Sequence, residues 1–158
     1  MIGQGTVAIR ILIAAGLGMA IGIERELRDQ WAGMRTHILV SVGACLFTLM
    51  SAIGFQAFTG GGAKPAATVD VARVAAQVVV GIGFIGGGTI LRQGANVRGL
   101  TTAATLWVTA AIGLAVASGA YLASVVTTGV AVATLAGLRP LERWMAKVAK
   151  RNGGREEE

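Results

Sequence analysis

The sequence predicts an all-α, multi-pass transmembrane helical bundle, and three observations carry that prediction. Only 14% of its 158 residues are charged while 54% are hydrophobic, and the mean hydropathy is +0.67; a soluble domain carries about 25% charge. Apolar residues gather in blocks of 16 to 21 that hold no Asp or Glu, close to the length a bilayer-crossing helix needs. The 14 Lys and Arg sit between those blocks or in the C-terminal tail, Arg10 excepted. That placement accounts for the net charge of +6 and a pI near 10.8 without invoking nucleic acid. A single cysteine, Cys45, excludes an internal disulfide and a cysteine-rich zinc site, and the lone His37 has no metal-ligand company.

Five candidate spans follow in order. The first, 7–23, reads as a retained span rather than a signal peptide, because no basic run precedes it and Glu24-Arg25-Glu26 follows directly. Arg10 near its outer end reaches the headgroups by snorkelling; at the bilayer centre it would cost about 2.5 to 3.5 kcal/mol. The second span is 38–58. Residues 59–68 read as a flexible outer loop, since three consecutive glycines and Pro65 oppose regular structure. The third, 74–91, would be about 27 Å long, near the hydrocarbon thickness. Residues 100–138 as one helix would reach about 58 Å, too long for one crossing, so Ser118-Gly119 must turn the chain back. That leaves a short, Thr-rich fourth span, 102–117, and a fifth, 120–138. Beyond this 1–138 membrane domain, Leu141, Trp144, Met145 and Val148 recur at helical spacing opposite Arg139, Arg143, Lys147 and Lys150. Residues 139–150 therefore read as a basic amphipathic helix on an anionic leaflet, or as a solvated basic tail. Residues 151–158 read as disordered. Basic residues in alternate connections number eleven against two, which places the N-terminus outside and the C-terminus in the cytoplasm.

Several clusters have more than one reading. Gly81-Ile-Gly83-Phe-Ile-Gly86 matches a dinucleotide fingerprint, but no acidic residue occurs between Asp70 and Glu142, so the fingerprint lacks its ribose partner. Gly81, Gly83, Gly86, Gly87 and Gly88 are instead expected to pack helices closely, as in Gly83-xxx-Gly87. Alternatively, Gly86-Gly87-Gly88 breaks the helix and turns carbonyls toward a cation, or the glycine face docks a partner's helix. Ala14, Gly18, Gly22 and Glu26 form a comparable small-residue face on the first span. Glu24 and Glu26 around Arg25 suit interfacial ion pairing or, as carboxylates, a Mg²⁺ site. Asp70, Arg73, Gln77 and Gly81 form a polar ridge on the third span, with Arg73 placed to pair with Asp70. Thr101, Thr105, Thr109 and Gly113 align on the fourth, where threonines bond back to their own helix. The topology gathers Glu24, Glu26, Arg35, Gly86 to Gly88, Arg92, Arg98, Thr101 and Thr102 at the cytoplasmic rim, with Asp70 and Arg73 at the opposite face.

These residues resemble the MgtC/SapB family of bacterial inner-membrane proteins. The resemblance rests on Gly22-Ile-Glu-Arg-Glu26, Ala32-Gly-Met-Arg35-Thr36-His37, Asp70-Val-Ala-Arg73 with Gln77, Gly81 to Gly88, and Val97-Arg98-Gly-Leu-Thr101-Thr102 leading to Trp107. It implies a multi-pass protein tied to growth in low Mg²⁺ and, in some pathogens, to survival inside host cells. It also implies regulation through contact with other membrane proteins, the F-type ATP synthase among them. Family members of the MgtC type have a C-terminal domain resembling ACT domains; this sequence ends before one, so the membrane core is expected to act alone. The expected function is a non-enzymatic regulator of Mg²⁺ homeostasis that packs against membrane partners and forms a homo-oligomer, taken as a dimer. No nucleic acid and no cofactor is expected beyond Mg²⁺ as ligand or substrate. The alternative is a Mg²⁺ transporter or channel with Glu24, Glu26 and Asp70 at its mouths.

Overall fold

The computed structural model describes the backbone over residues 3–58 and 71–153, and side chains over 3–53, 73–138 and at Met145. Five helices dominate: α1 (Gln4–Glu26), α2 (Met34–Phe58), α3 (Val71–Gly88), α4 (Leu100–Ser118) and α5 (Tyr121–Gly153). Between α3 and α4 lies a hairpin of β1 (Leu91–Gln93) and β2 (Asn96–Arg98). The expected all-α membrane bundle is therefore present, with a small sheet that begins at Leu91, the last residue of the expected third span, and fills the connection to the fourth. Leu91 pairs with Arg98, Arg92 with Val97 and Gln93 with Asn96. The connection is Gly94-Ala95, and Gly94 takes a φ of +62° that a tight turn requires.

Among the described residues, four helical segments are long and apolar enough to cross a membrane: Gln4–Glu26, Met34–Ile53, Leu100–Ser118 and Tyr121–Leu138. Among the same described residues, α3 contributes a shorter apolar stretch, Arg73–Gly88. It nonetheless runs antiparallel along α4. Gly86 lies against Ala103, and Ile82 joins Leu106 and Ala110 in one buried cluster with Ala44 of α2. A second cluster joins Ala14 and Ile21 of α1, Cys45 and Leu49 of α2, Ile112 and Val116 of α4 and Leu135 of α5. Helix α4 is thus the axis against which the others pack. Lipid tails are as apolar as these side chains, so contact comes from close van der Waals fit rather than from exclusion of water.

The turn at Ser118-Gly119 is where the length argument placed it. Gly119 (φ +86°) donates to Val116 O at 3.0 Å, and Ala120 N donates to Ala115 O at 2.9 Å, the paired bonds of a Schellman ending. Arg10 closes this outer end. Its Nη1 donates to Ala117 O at 2.6 Å and its Nε to the Tyr121 hydroxyl at 3.0 Å. The residue expected to reach for headgroups is therefore a clasp between α1 and the α4–α5 turn. Threonines bond back as expected: Thr109 to Thr105 O at 2.7 Å and Thr105 to Thr102 O at 2.8 Å.

Helix α5 runs without interruption through Gly153. The boundary expected at 138/139 is continuous backbone, and 151–153, expected to be disordered, are helical; residues 154–158 lie outside the described residues. Pro140 sits inside this helix and has no N–H for the carbonyl of Ala136. The expected outer loop 59–68 and Asp70 also lie outside the described residues.

Candidate functional site

The ends of α1, α2, α4 and the hairpin meet at one side of the bundle, where a buried ionic knot lies at the end of α1. Ile21, Gly22 and Arg25 continue the stripe begun by Ala14 and Gly18, so the helix carries Arg25 into the interior, where it is 2% exposed. Arg25 Nη1 lies 3.4 Å from Glu24 Oε2, and Arg28 Nε pairs with Glu24 Oε1. Arg25 Nη2 also donates to Gln30 Oε1 at 2.6 Å, and Gln30 Nε2 donates to Arg28 O at 3.0 Å. Glu24 is thus held between two guanidiniums, of which Arg25 is buried. Asp29 turns the loop with a φ of +51°, a conformation that Asp tolerates better than most residues.

Glu26 does different work. Its Oε2 accepts the Met34 N–H at 2.8 Å, satisfying one of the free donors at the start of α2 and placing negative charge at the positive end of that helix. Gly33 makes this reach available, because a Cβ there would overlap the Glu26 carboxylate.

Gly18 and Gly22 bring α1 onto α2. A Cβ on Gly18 would sit 2.7 Å from His37 O, and one on Gly22 would sit 2.5 Å from Met34 Cα. His37, passed over in the sequence as a solitary histidine, is fully buried here. Its Nδ1 is 2.9 Å from Gly33 O, while its Nε2 and the Ser41 hydroxyl have no hydrogen-bond partner among the described residues. Position on the α1 stripe would have revealed Arg25; no local sequence signal marked His37, which is buried because glycines stand opposite it.

The remaining expected residues divide. Thr102 is buried, Thr36 is half-buried, and Arg35, Arg73, Gln77, Arg98 and Thr101 are exposed. Neither Arg35 nor Arg98 pairs with Glu24 or Glu26, so the rim cluster condenses only around Glu24, Arg25 and Glu26. Helix α3 stays helical to Gly88, which goes against the alternative of a break at Gly86 to Gly88. Gly86 O accepts both the Thr89 N–H at 3.0 Å and its hydroxyl at 2.7 Å, and Gly87 O accepts Ile90 N–H at 3.1 Å. Those two carbonyls are already used within the chain. Only Gly86 of this run packs closely, against Ala103; Cβ atoms at Gly81, Gly83, Gly87 and Gly88 would meet open space.

Apolar helices of crossing length around a central helix, with charge confined to their ends, define a polytopic helical membrane protein. The model of the MgtC family matches residues 11–144, and the chain belongs to that family. It is 48% identical over 113 residues to YhiD of Escherichia coli (strain K12), provisionally described as a magnesium transporter, covering 72% of this chain and 51% of that one. Protein MgtC of Brucella abortus (strain 2308) is 44% identical over 137 residues, covering 87% and 53%. Protein MgtC of Salmonella typhimurium (strain 14028s / SGSC 2262) is 44% identical over 113 residues, covering 72% and 44%. The chain spans about half the length of the curated relatives it matches. No solved structure matches it.

Proposed function

We propose that this protein is a non-enzymatic regulator of Mg²⁺ homeostasis in the bacterial inner membrane, serving adaptation to low Mg²⁺ or survival inside host cells. It acts by packing against other membrane proteins, such as the F-type ATP synthase, and against a second copy of itself. The observation that supports regulation over transport is the occupation of the two carboxylates nearest the membrane. Glu24 is held by Arg25 and Arg28, and Glu26 caps α2. A hard cation takes carboxylate oxygens that are free to turn toward it, and these are not.

The surface for a partner helix is the side of α3 that carries Gly83 and Gly87, flanked by Val80 at 67% and Phe84 at 86% exposure. Small residues four apart let a second backbone approach. The small face of α1, expected from its sequence to serve equally, is already filled by α2. Replacing Gly83 and Gly87 together by Leu should abolish growth adaptation to low Mg²⁺ and co-purification of partners while leaving the fold intact. Full complementation by that double variant would remove packing on α3 as the mechanism.

The description attached to YhiD favours one second reading, a divalent-cation transporter. Purified protein in liposomes with an internal Mg²⁺ indicator decides between them: the regulator gives no flux over a wide gradient. Mg²⁺ entry above that of empty vesicles would establish the second reading instead.

A further inference from the structure

The opposite side of α3 from Gly83 faces α2 across an open groove of about 680 Å³, within the roughly 300–1,000 Å³ of sites that bind small ligands. Ala44, Ile82 and Ala110 line it from three helices, and it extends from Thr36 to Phe47 along α2 and from Ile85 back to Val74 along α3. Apart from Thr36 and Gln77 the named lining is apolar. The space beside Gly81 is open, since a Cβ there would meet nothing within 4 Å among the described residues.

Its length and its charge identify the occupant. From Thr36 to Phe47 a helix rises about 16 Å, which is the depth of one leaflet of a hydrocarbon core about 30 Å thick. A transmembrane helix needs the whole thickness and a lane about 10 Å wide; an acyl chain needs one leaflet. The groove opens at the charged end of the bundle. Arg35 adjoins Thr36 there, exposed and without an ion pair or hydrogen bond among the described residues, and the hairpin that follows α3 presents exposed Arg92 and Arg98. Five arginines stand in 24–35 and 92–98 against Glu24, Glu26 and Asp29, so this rim attracts anionic headgroups.

We propose that the α2–α3 groove is a lipid site: it holds one acyl chain of an anionic glycerophospholipid from the cytoplasmic leaflet, with the phosphate at Arg35 and the Thr36 hydroxyl. The site lies apart from the Gly83–Gly87 surface and does not depend on the regulatory reading.

The test uses the full chain in nanodiscs with phosphatidylglycerol bearing a photoactivatable diazirine in its acyl chain, and maps the labelled residues by mass spectrometry. Label is expected on 36–47 and 74–85. Gly81→Phe, which fills the groove, should lower it about tenfold, the change expected for loss of one well-fitted contact. Arg35→Gln should weaken phosphatidylglycerol labelling about fivefold and the labelling by zwitterionic phosphatidylcholine by less. Gly83→Phe, off the groove, should leave labelling as in the parent. Label spread evenly over lipid-facing residues of the parent protein, including Leu122 and Val126 of α5, would overturn the site whatever the variants do. So would Gly81→Phe converting a dimer to monomers with labelling unchanged, which would assign the groove to a second copy.

Discussion

Helices α1 and α3 both carry glycines four residues apart, and they use them in opposite ways. On α1, Gly18 and Gly22 are pressed against the backbone of α2, and the helix ends in a buried arginine tied to a glutamate and a glutamine. On α3, Gly86 meets Ala103, while Gly81, Gly83, Gly87 and Gly88 face open space. The first arrangement closes the fold; the second leaves surfaces for something other than this chain. Identical spacing therefore says which residues share a face and nothing about what stands opposite.

The largest effect that can break this contrast is expected at Arg25. Arg25→Met leaves Glu24 buried with only the half-exposed Arg28, and breaking a buried pair costs about 3–5 kcal/mol. Thermal unfolding in detergent should show it, and a loss below about 1 kcal/mol would mean that water reaches the knot. Next comes Gly22→Leu, where the clash is with the Met34 backbone, which cannot rotate away as a side chain can. Overpacking of this kind costs about 1–3 kcal/mol, read from the denaturant midpoint. Arg10→Gln should lose about 1.5–3 kcal/mol with its charged hydrogen bonds and expose the α4–α5 turn to added protease. The smallest and opposite effect is at Gly83→Ala, which gains up to about 1 kcal/mol of helix propensity. A destabilised Gly83→Ala would show that α3 is packed as tightly as α1.

Much of the architecture was legible because hydropathy and length are one-dimensional properties. The spans, the Ser118-Gly119 turn and the threonine back-bonds all depend on residues close in sequence. The hairpin at Leu91–Arg98 was not, since two strands of three residues, exposed throughout, have no burial alternation to read. At the candidate site the pairing of Glu24 with Arg25 was legible from adjacency. The capping role of Glu26 and the burial of His37 were not, because both depend on how far α1 approaches α2, and that distance is set by glycines elsewhere in the chain. At Gly86 to Gly88 the sequence left packing and a helix break as alternatives; the carbonyls of Gly86 and Gly87 are engaged by Thr89 and Ile90.

Helix α5 has a mechanical property that none of its neighbours shares. Its 33 residues make a rod about 50 Å long, little more than half of it needed to traverse lipid. A rod embedded at one end is a lever: a few degrees of tilt in the bilayer become ångströms of travel at the far end. Pro140 puts one missing backbone bond near the fulcrum, at the edge of the hydrocarbon, so any bending is concentrated there and the two arms on either side move as stiff pieces.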